Sequence, residues 1–368
     1  MSQDYNAEIE QLYETIASGF TFLFTNAAKT GHWSEPRSTA LAAICLTMLE
    51  DASSVWLRAV RDWIEAQQIR SGHAQGSWCE EIWDTGMCVY ALKELGVNSR
   101  HPTVESALDW IGSLYSLNGR GNWHDELWET CWALIAILRC GRTPPSVDIV
   151  QPIRWLISLQ QPDGNVVAPH YTGYFLLIHT LSRNVMLERE FRNTLDAAKD
   201  KCTEYLLKML KDCEQGRLWT GEPWSNGQIL WALCVADSLP TDNEVLIRKI
   251  VSWFRDAQGP QGNWLDVEDT ASAILGLVSL VRLLATSGGL TKEGAESLVE
   301  RRLRRMISVP ALKTRKPFLE RDTETGYVCI NVPVGAMNLV VGVLGFILVA
   351  LVAWVANVVQ ILEWLKHR

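Results

Sequence analysis

The chain lacks most of the patterns that announce a chemistry. There is no Cys-x-x-Cys, no Gly-rich phosphate loop and no Gly-x-Ser-x-Gly. Those absences argue against zinc-ribbon, P-loop and serine-hydrolase chemistry. The nine cysteines (Cys45, Cys79, Cys88, Cys131, Cys140, Cys202, Cys213, Cys234 and Cys329) have no metal-site spacing. Several, such as Cys45, Cys131 and Cys234, sit in apolar runs, which reads as free buried thiols in a reducing compartment. No metal and no cofactor is therefore expected. The first residues carry Asp4, Glu8, Glu10 and Glu14 without a basic start, so no secretory signal peptide is expected there. The net charge is -8. Basic charge is concentrated in one stretch, 301–316, where Arg301, Arg302, Arg304, Arg305, Lys313, Arg315 and Lys316 stand without an acid. So local a patch is no nucleic-acid surface, and no nucleic-acid partner is expected.

What the chain does have is a repeat. Glycine-centred turns at Gly31, Gly76, Gly121, Gly164, Gly216 and Gly262 recur every ~45 residues. Four read Gly-x-Trp: Gly31-His32-Trp33, Gly76-Ser77-Trp78, Gly121-Asn122-Trp123 and Gly262-Asn263-Trp264. Val166 takes the Trp place in one turn, and another is stretched to Gly216-Arg217-Leu218-Trp219. After each turn a small polar residue (Thr39, Thr85, Thr130, Thr172, Asn226 or Thr270) opens an apolar run. Each repeat reads as an outer helix before the turn, such as 55–68, and an inner one after it, such as 85–95 or 130–139. An inner run apolar on every side must be covered on every side. The predicted fold is therefore all-α: an α/α toroid of six helical hairpins over 1–300, with the charge-rich insert 183–200 on its surface as a helix or loop.

The end of the chain has a different character. From Val328 to Leu362 no residue is charged, and Val334–Ala356 is long enough to cross a bilayer as a helix. Trp354 and Trp364 suit its far interface. The layout expected is a toroid (1–300), a basic juxtamembrane linker (301–327), a transmembrane helix (328–362) and a short tail (363–368). The basic linker places the toroid on the cytoplasmic side of a single-pass C-terminal anchor.

Leu159-Gln160-Gln161-Pro162-Asp163-Gly164-Asn165 and Ala257-Gln258-Gly259-Pro260-Gln261-Gly262-Asn263-Trp264 both carry Gln-x-x-x-Gly, the second running on into x-Trp. They resemble the QW motif of the terpene cyclases of the squalene–hopene type and of the related protein prenyltransferase β subunits, over about 31–285. A Gln amide there can bond free backbone groups at a neighbouring helix end while the indole covers the turn. Gln68 is displaced by an insertion, and Leu117 stands where repeat three would have Gln. Asp266-Val267-Glu268-Asp269-Thr270-Ala271 is similar to the Asp-x-Asp-Asp-Thr-Ala of class II terpene cyclases. The resemblance implies that Glu268 is the general acid that protonates an alkene or epoxide, with Asp266 and Asp269 as flanking carboxylates. Clustered carboxylates at a dry helix mouth raise one another's pKa. The match departs from the family in four ways. Glu replaces the central Asp, and the motif falls in the last repeat. The cyclases place their cavity between two toroids, where this chain has one. Asp-Thr or Glu-Thr also ends the equivalent steps Trp83-Asp84-Thr85 and Trp128-Glu129-Thr130, where helix-start chemistry explains it. Asp212-Cys213 is not the Asp-x-Cys of the prenyltransferase zinc site.

Two residues before the openers stand Arg37, Trp83, Trp128, His170, Trp224 and Glu268; one residue before them stand Ser38, Asp84, Glu129, Tyr171, Ser225 and Asp269. Ring closure would bring these layers to one mouth and Arg37 to Glu268 or Asp269. The expected substrate-binding set is Trp83, Trp128, Tyr171, Trp224, Asp84, Glu129, Arg37 and His170. His32, His124 and His170 lie between turn and inner helix, where histidines usually serve structure. Stacking of sugars on Trp83, Trp128 and Trp224, as in toroidal glycosidases, suits a membrane-tethered body less well. Two functions remain open. One is a terpene-cyclase-like enzyme acting on a polyprenyl or triterpenoid lipid. The other is a non-catalytic, membrane-anchored toroid that binds a lipid or a protein as sensor or scaffold.

Overall fold

The computed structural model describes residues 3–27, 31–50, 52, 54–115, 121–213, 217–307, 319–321 and 328–330. The turn glycine Gly216, Leu117 and the apolar span 334–356 lie outside them. Two compact units divide the chain, Met1–Ser308 and Val309–Arg368. Of the second, a two-stranded antiparallel pair is described, Leu319–Arg321 with Val328–Ile330.

The first unit is helical throughout. Its outer helices are α1 (Gln3–Asn26), α3 (Val55–Ala66), α5 (Pro102–Ser113), α7 (Val150–Ser158), α9 (Arg189–Asp212) and α11 (Glu244–Asp256). The inner ones are α2 (Pro36–Leu46), α4 (Ile82–Glu94), α6 (Leu127–Cys140), α8 (Pro169–Leu181), α10 (Pro223–Val235) and α12 (Val267–Ser287), and α13 (Lys292–Met306) follows. Periodicity sets the division. The outer α3 buries one stripe, Leu57, Val60 and Ile64, as an amphipathic helix must. The inner α6 buries every residue from Thr130 to Leu138. Each inner helix packs on the next, and α12 returns to pack on α2, so the ring is closed.

Two bonds at each Gly-x-Trp turn build the hairpins. The turn indole donates Nε1–H to the last turn of its own outer helix: Trp33 to Leu23 O (3.1 Å), Trp78 to Ile64 O (2.7 Å), Trp123 to Ile111 O (2.8 Å) and Trp264 to Phe254 O (2.7 Å). The last carbonyls of a helix lack the usual bond from four residues on. The indole's backbone N–H donates in turn to the opener hydroxyl, as in Trp78 N to Thr85 Oγ1 (3.0 Å) and Trp264 N to Thr270 Oγ1 (3.0 Å). The openers therefore do something other than the helix-start capping expected of them. Each is the fourth residue of its helix and locks the turn to it, and the position before the helix falls to an acid such as Glu81 or Glu126.

The glutamine amide joins neighbouring repeats. Gln68 Nε2 bonds Gly76 O (2.9 Å) and Thr103 O (2.8 Å) despite the insertion, and Gln160 bonds Gly164 O (3.3 Å) and Ala198 O (2.8 Å). Gln258 bonds Gly262 O (2.8 Å) and Thr15 O (2.9 Å), which ties the last repeat to α1. At Gly76, Gly121, Gly164 and Gly262 the next outer helix passes too close for a side chain. At Gly164 (φ +96°) a Cβ would lie 2.1 Å from Lys201 O.

The insert 183–200 is mostly the front half of α9, an outer helix of 24 residues. The helix α13 carries the first arginines of the basic stretch, and Arg302 lies 4.0 Å over the Tyr13 ring. Among the described residues one helix, α12, is long and apolar enough to cross a membrane, but its apolar window is 67% buried within the ring. It is a core helix.

Candidate functional site

All six inner helices point their N-termini toward one mouth. There Arg37 joins the seam between the first and last repeats. Its Nε donates to Glu268 Oε1 at 2.8 Å, its Nη1 lies 3.7 Å from Asp84 Oδ1, and its guanidinium sits 4.1 Å over the Trp83 ring. Ser38 Oγ donates to the same Glu268 oxygen (2.8 Å). Across the mouth Asp269 Oδ1 accepts the backbone N–H of Trp224 (2.9 Å), serving as a cap for α10. Asp266 accepts the N–H of Asp269 (2.9 Å) as the N-cap of α12.

Half-buried aromatic rings fill the space between. Trp128 is the hub, edge-on to Trp83 (5.5 Å), Trp224 (5.6 Å), Tyr171 (6.0 Å), His170 (5.9 Å) and Tyr174 (5.4 Å). Such pairs are favourable beyond the area they bury. The anticipated site residues thus meet in one place, with two of them otherwise engaged. Glu129 pairs with His124 of its own turn at 2.8 Å, and Asp266 is exposed and occupied in capping.

Burial shapes the titration of the mouth. It pushes Asp269 up to about 7, against the bond from Trp224 and with help from Asp266 and Glu268. Burial likewise raises Asp84 to about 6, although Arg37 opposes it, and lowers His170 to about 4. A carboxyl whose folded pKa is raised takes up protons on folding. Its contribution to stability is complete below the unfolded value and is lost as pH rises through the folded one. Asp269 and Asp84 therefore favour a higher melting temperature at about pH 5 than at about pH 8, and His170 opposes them, because its unfolded imidazole takes up a proton at about pH 5 that the folded one does not. Asp269→Asn, whose amide oxygen can still accept from Trp224, should narrow that gap in paired thermal melts.

Deeper layers follow at helical spacing. Four residues beyond Trp128, His170, Trp224 and Glu268 stand Trp132, Tyr174, Gln228 and Ser272. Tyr174 donates its hydroxyl proton to Gln228 Oε1, and Gln228 Nε2 reaches Ser272 Oγ at 3.4 Å. Seven residues beyond Trp83 and Trp224 stand Tyr90 and Trp231, whose rings meet at 5.8 Å between α4 and α10, on opposite sides of the ring. Side chains therefore span the axis. These residues were not anticipated, yet the i+4 and i+7 steps from the mouth would have found them. A cavity of about 740 Å³ lies elsewhere, along α9 near Lys201, Tyr205 and Trp219. No group of His, Cys, Asp and Glu among the described residues is placed to hold a metal ion.

This arrangement has known counterparts. Residues 39–186 match the family described as the squalene-hopene cyclase C-terminal domain. A variant of the type II terpene cyclase MstE from Scytonema, solved with the substrate geranylgeranyl dihydroxybenzoate, is similar over 76% of this chain and 100% of its own, with 15% identity and a TM-score of 0.56. The fold is that of the type II terpene cyclases. Another MstE variant, holding the product merosterolic acid A, aligns with 16% identity over 74% of this chain and 98% of its own (TM-score 0.52). A protein from Actinoplanes aligns with 14% identity over 72% and 98% (TM-score 0.54). No curated protein matches the chain by sequence. Because the whole chain of the first neighbour is covered, the cyclase fold does not require a second toroid.

Proposed function

We propose that this protein is a non-catalytic terpene-cyclase-fold receptor, which holds an isoprenoid or triterpenoid lipid at its mouth and is tethered to a membrane by 334–356, with the toroid on the cytoplasmic side. One observation carries the reading. Glu268, which the cyclase motif makes the acid, gives a single oxygen to both Arg37 and Ser38. Protonating an alkene needs a carboxylic O–H aimed into a dry apolar cavity. Here the acid faces a guanidinium and a hydroxyl, and aromatic rings close the axis beneath it. The fold is shared with a type II cyclase that binds a geranylgeranylated substrate, which supports isoprenoid as the ligand class.

A second reading, an acid-catalysed isoprenoid cyclase, has its own support. Asp269, in the same motif, carries a proton over part of the neutral range because burial lifts its pKa to about 7. Incubation of the detergent-solubilised full-length protein with polyprenyl and triterpenoid substrates separates the two. Native mass spectrometry should find lipid bound and unconverted, and equally so in Glu268→Gln. Cyclised product from the wild type, lost in Glu268→Gln or Asp269→Asn, would establish the enzyme instead. Neither bound lipid nor product would exclude both.

A further inference from the structure

We propose that the mouth recognises an organic cation: its ligand carries an alkylammonium or guanidinium group that seats against the indoles of Trp128 and Trp224, between Asp84 and Asp269. This rests on the reading of the mouth as the ligand-binding face, and it names the chemistry of the group bound there.

The charge around the opening is one-sided. Every inner helix except α8 is preceded by an acid: Glu35, Glu81, Glu126, Glu222 and Asp266. Acids near helix N-termini offset the helix dipoles, which accounts for such residues at the rim. It does not account for what lies inside. Asp84 has a side chain only 8% exposed, and its Oδ1 accepts no hydrogen bond. The nearest cation, Arg37 Nη1, is 3.7 Å away, too far for one. Ser225 occupies in α10 the place that Asp84 holds in α4 and Asp269 in α12. It is fully buried, and its Oγ has no partner either. The Asp84 carboxyl is otherwise bonded by the Cys79 thiol, but a buried polar atom left without a hydrogen bond is costly, and two such atoms in one layer of the mouth mark places for a ligand group.

The walls have the matching chemistry. A cation over an indole face is held by the ring quadrupole, more strongly as water is excluded. The mouth already holds one group in this way, since the Arg37 guanidinium lies 4.1 Å over Trp83 between Asp84 and Glu268. On the far side, Trp128 and Trp224 meet edge to face at 5.6 Å, and Asp269, which holds the Trp224 N–H, pairs with no arginine or lysine among the described residues. His170, against Trp224 at 5.3 Å, is neutral above about pH 4 because burial lowers its pKa. A ligand cation therefore finds the indole pair and Asp269 free of arginine on this side of the mouth, and meets Arg37 only on the Asp84 side.

The test pairs two lipids that differ only in the head, geranylgeranylamine and geranylgeraniol, with choline as a soluble cation. Binding to the full-length protein is followed by calorimetry and by tryptophan fluorescence. The amine should bind at least about tenfold more tightly than the alcohol. Asp84→Asn and Asp269→Asn, which preserve shape, should shrink that ratio toward one. If choline binds and neither lipid does, the cation is water-borne, so this inference stands while the isoprenoid reading falls. Equal binding of amine and alcohol, or a ratio unmoved by both Asn variants, overturns the inference and leaves the isoprenoid reading intact. No binding of any probe overturns both.

Discussion

Trp264→Ala should lower stability by about 4 kcal/mol, the usual consequence of emptying a fully buried indole site. Trp264 is fully buried, its Nε1–H satisfies Phe254 O at the end of α11, and its backbone N–H is fixed by Thr270. Its ring also touches the seam where the toroid closes: a Cβ on Gly19 of α1 would lie 2.9 Å from the indole. Removing the ring leaves a cavity between first and last repeats and an orphan carbonyl beside it. Chemical denaturation with both near-ultraviolet and far-ultraviolet detection should show the loss. A change below about 1 kcal/mol would mean that the seam collapses onto the gap, or that closure contributes little.

A methyl group at Gly227 should be tolerated less well than its size suggests. Gly227 lies where α10 crosses α12, and a Cβ there would stand 2.2 Å from Ser272 O and 2.6 Å from Ala273 N. Gly276 faces back across the crossing, with its own Cβ site 2.5 Å from Gly227 O. Because the obstacle is backbone, no rotamer relieves the clash. The helices must separate, and Gln228 and Ser272 would be drawn apart with them. Gly227→Ala is expected to destabilise by about 3 kcal/mol, near the upper end for overpacking, and to lower the Tm by roughly 6–10 °C. Gly221→Ala is the control, since a Cβ there meets nothing within 4 Å, and should change stability by less than about 0.5 kcal/mol. Equal melting of the two variants would show that the crossing can widen freely.

Much of this architecture was legible in the chain. The Gly-x-Trp turns, their polar openers and the Gln-x-x-x-Gly steps are local signals, and each corresponds to a bond now visible, such as Trp78 N to Thr85 Oγ1. Their meaning was less legible than their positions. A threonine before an apolar run reads as a helix start by propensity, yet Thr85 stands a full turn inside α4. Its partner is a backbone N–H from the preceding turn, which only a folded hairpin brings near. The approach of Arg37 to Glu268 follows from ring closure and is present. That Ser38 shares the same oxygen, and that Glu129 turns away to His124, depend on rotamers that equivalent repeat positions do not share.

The sequence by itself determined the hairpins, their order and which helix of each pair lies inside. Those features rest on periodicity and on bonds spanning one turn, so each repeat carries its own instructions. Only the tertiary structure decided what meets across the ring. Arg37 with Glu268 and Gln258 with Thr15, separated by 231 and 243 residues, come together through small rotations summed over six repeats, and no single repeat encodes that sum. The same holds for the centre. Whether six apolar helices enclose a cavity or fill it is set by helix separation and by how Trp128, Tyr174, Tyr90 and Trp231 pack against one another. Here the close crossing at Gly227 and the interlocked rings leave the axis occupied and concentrate the exposed chemistry at the mouth.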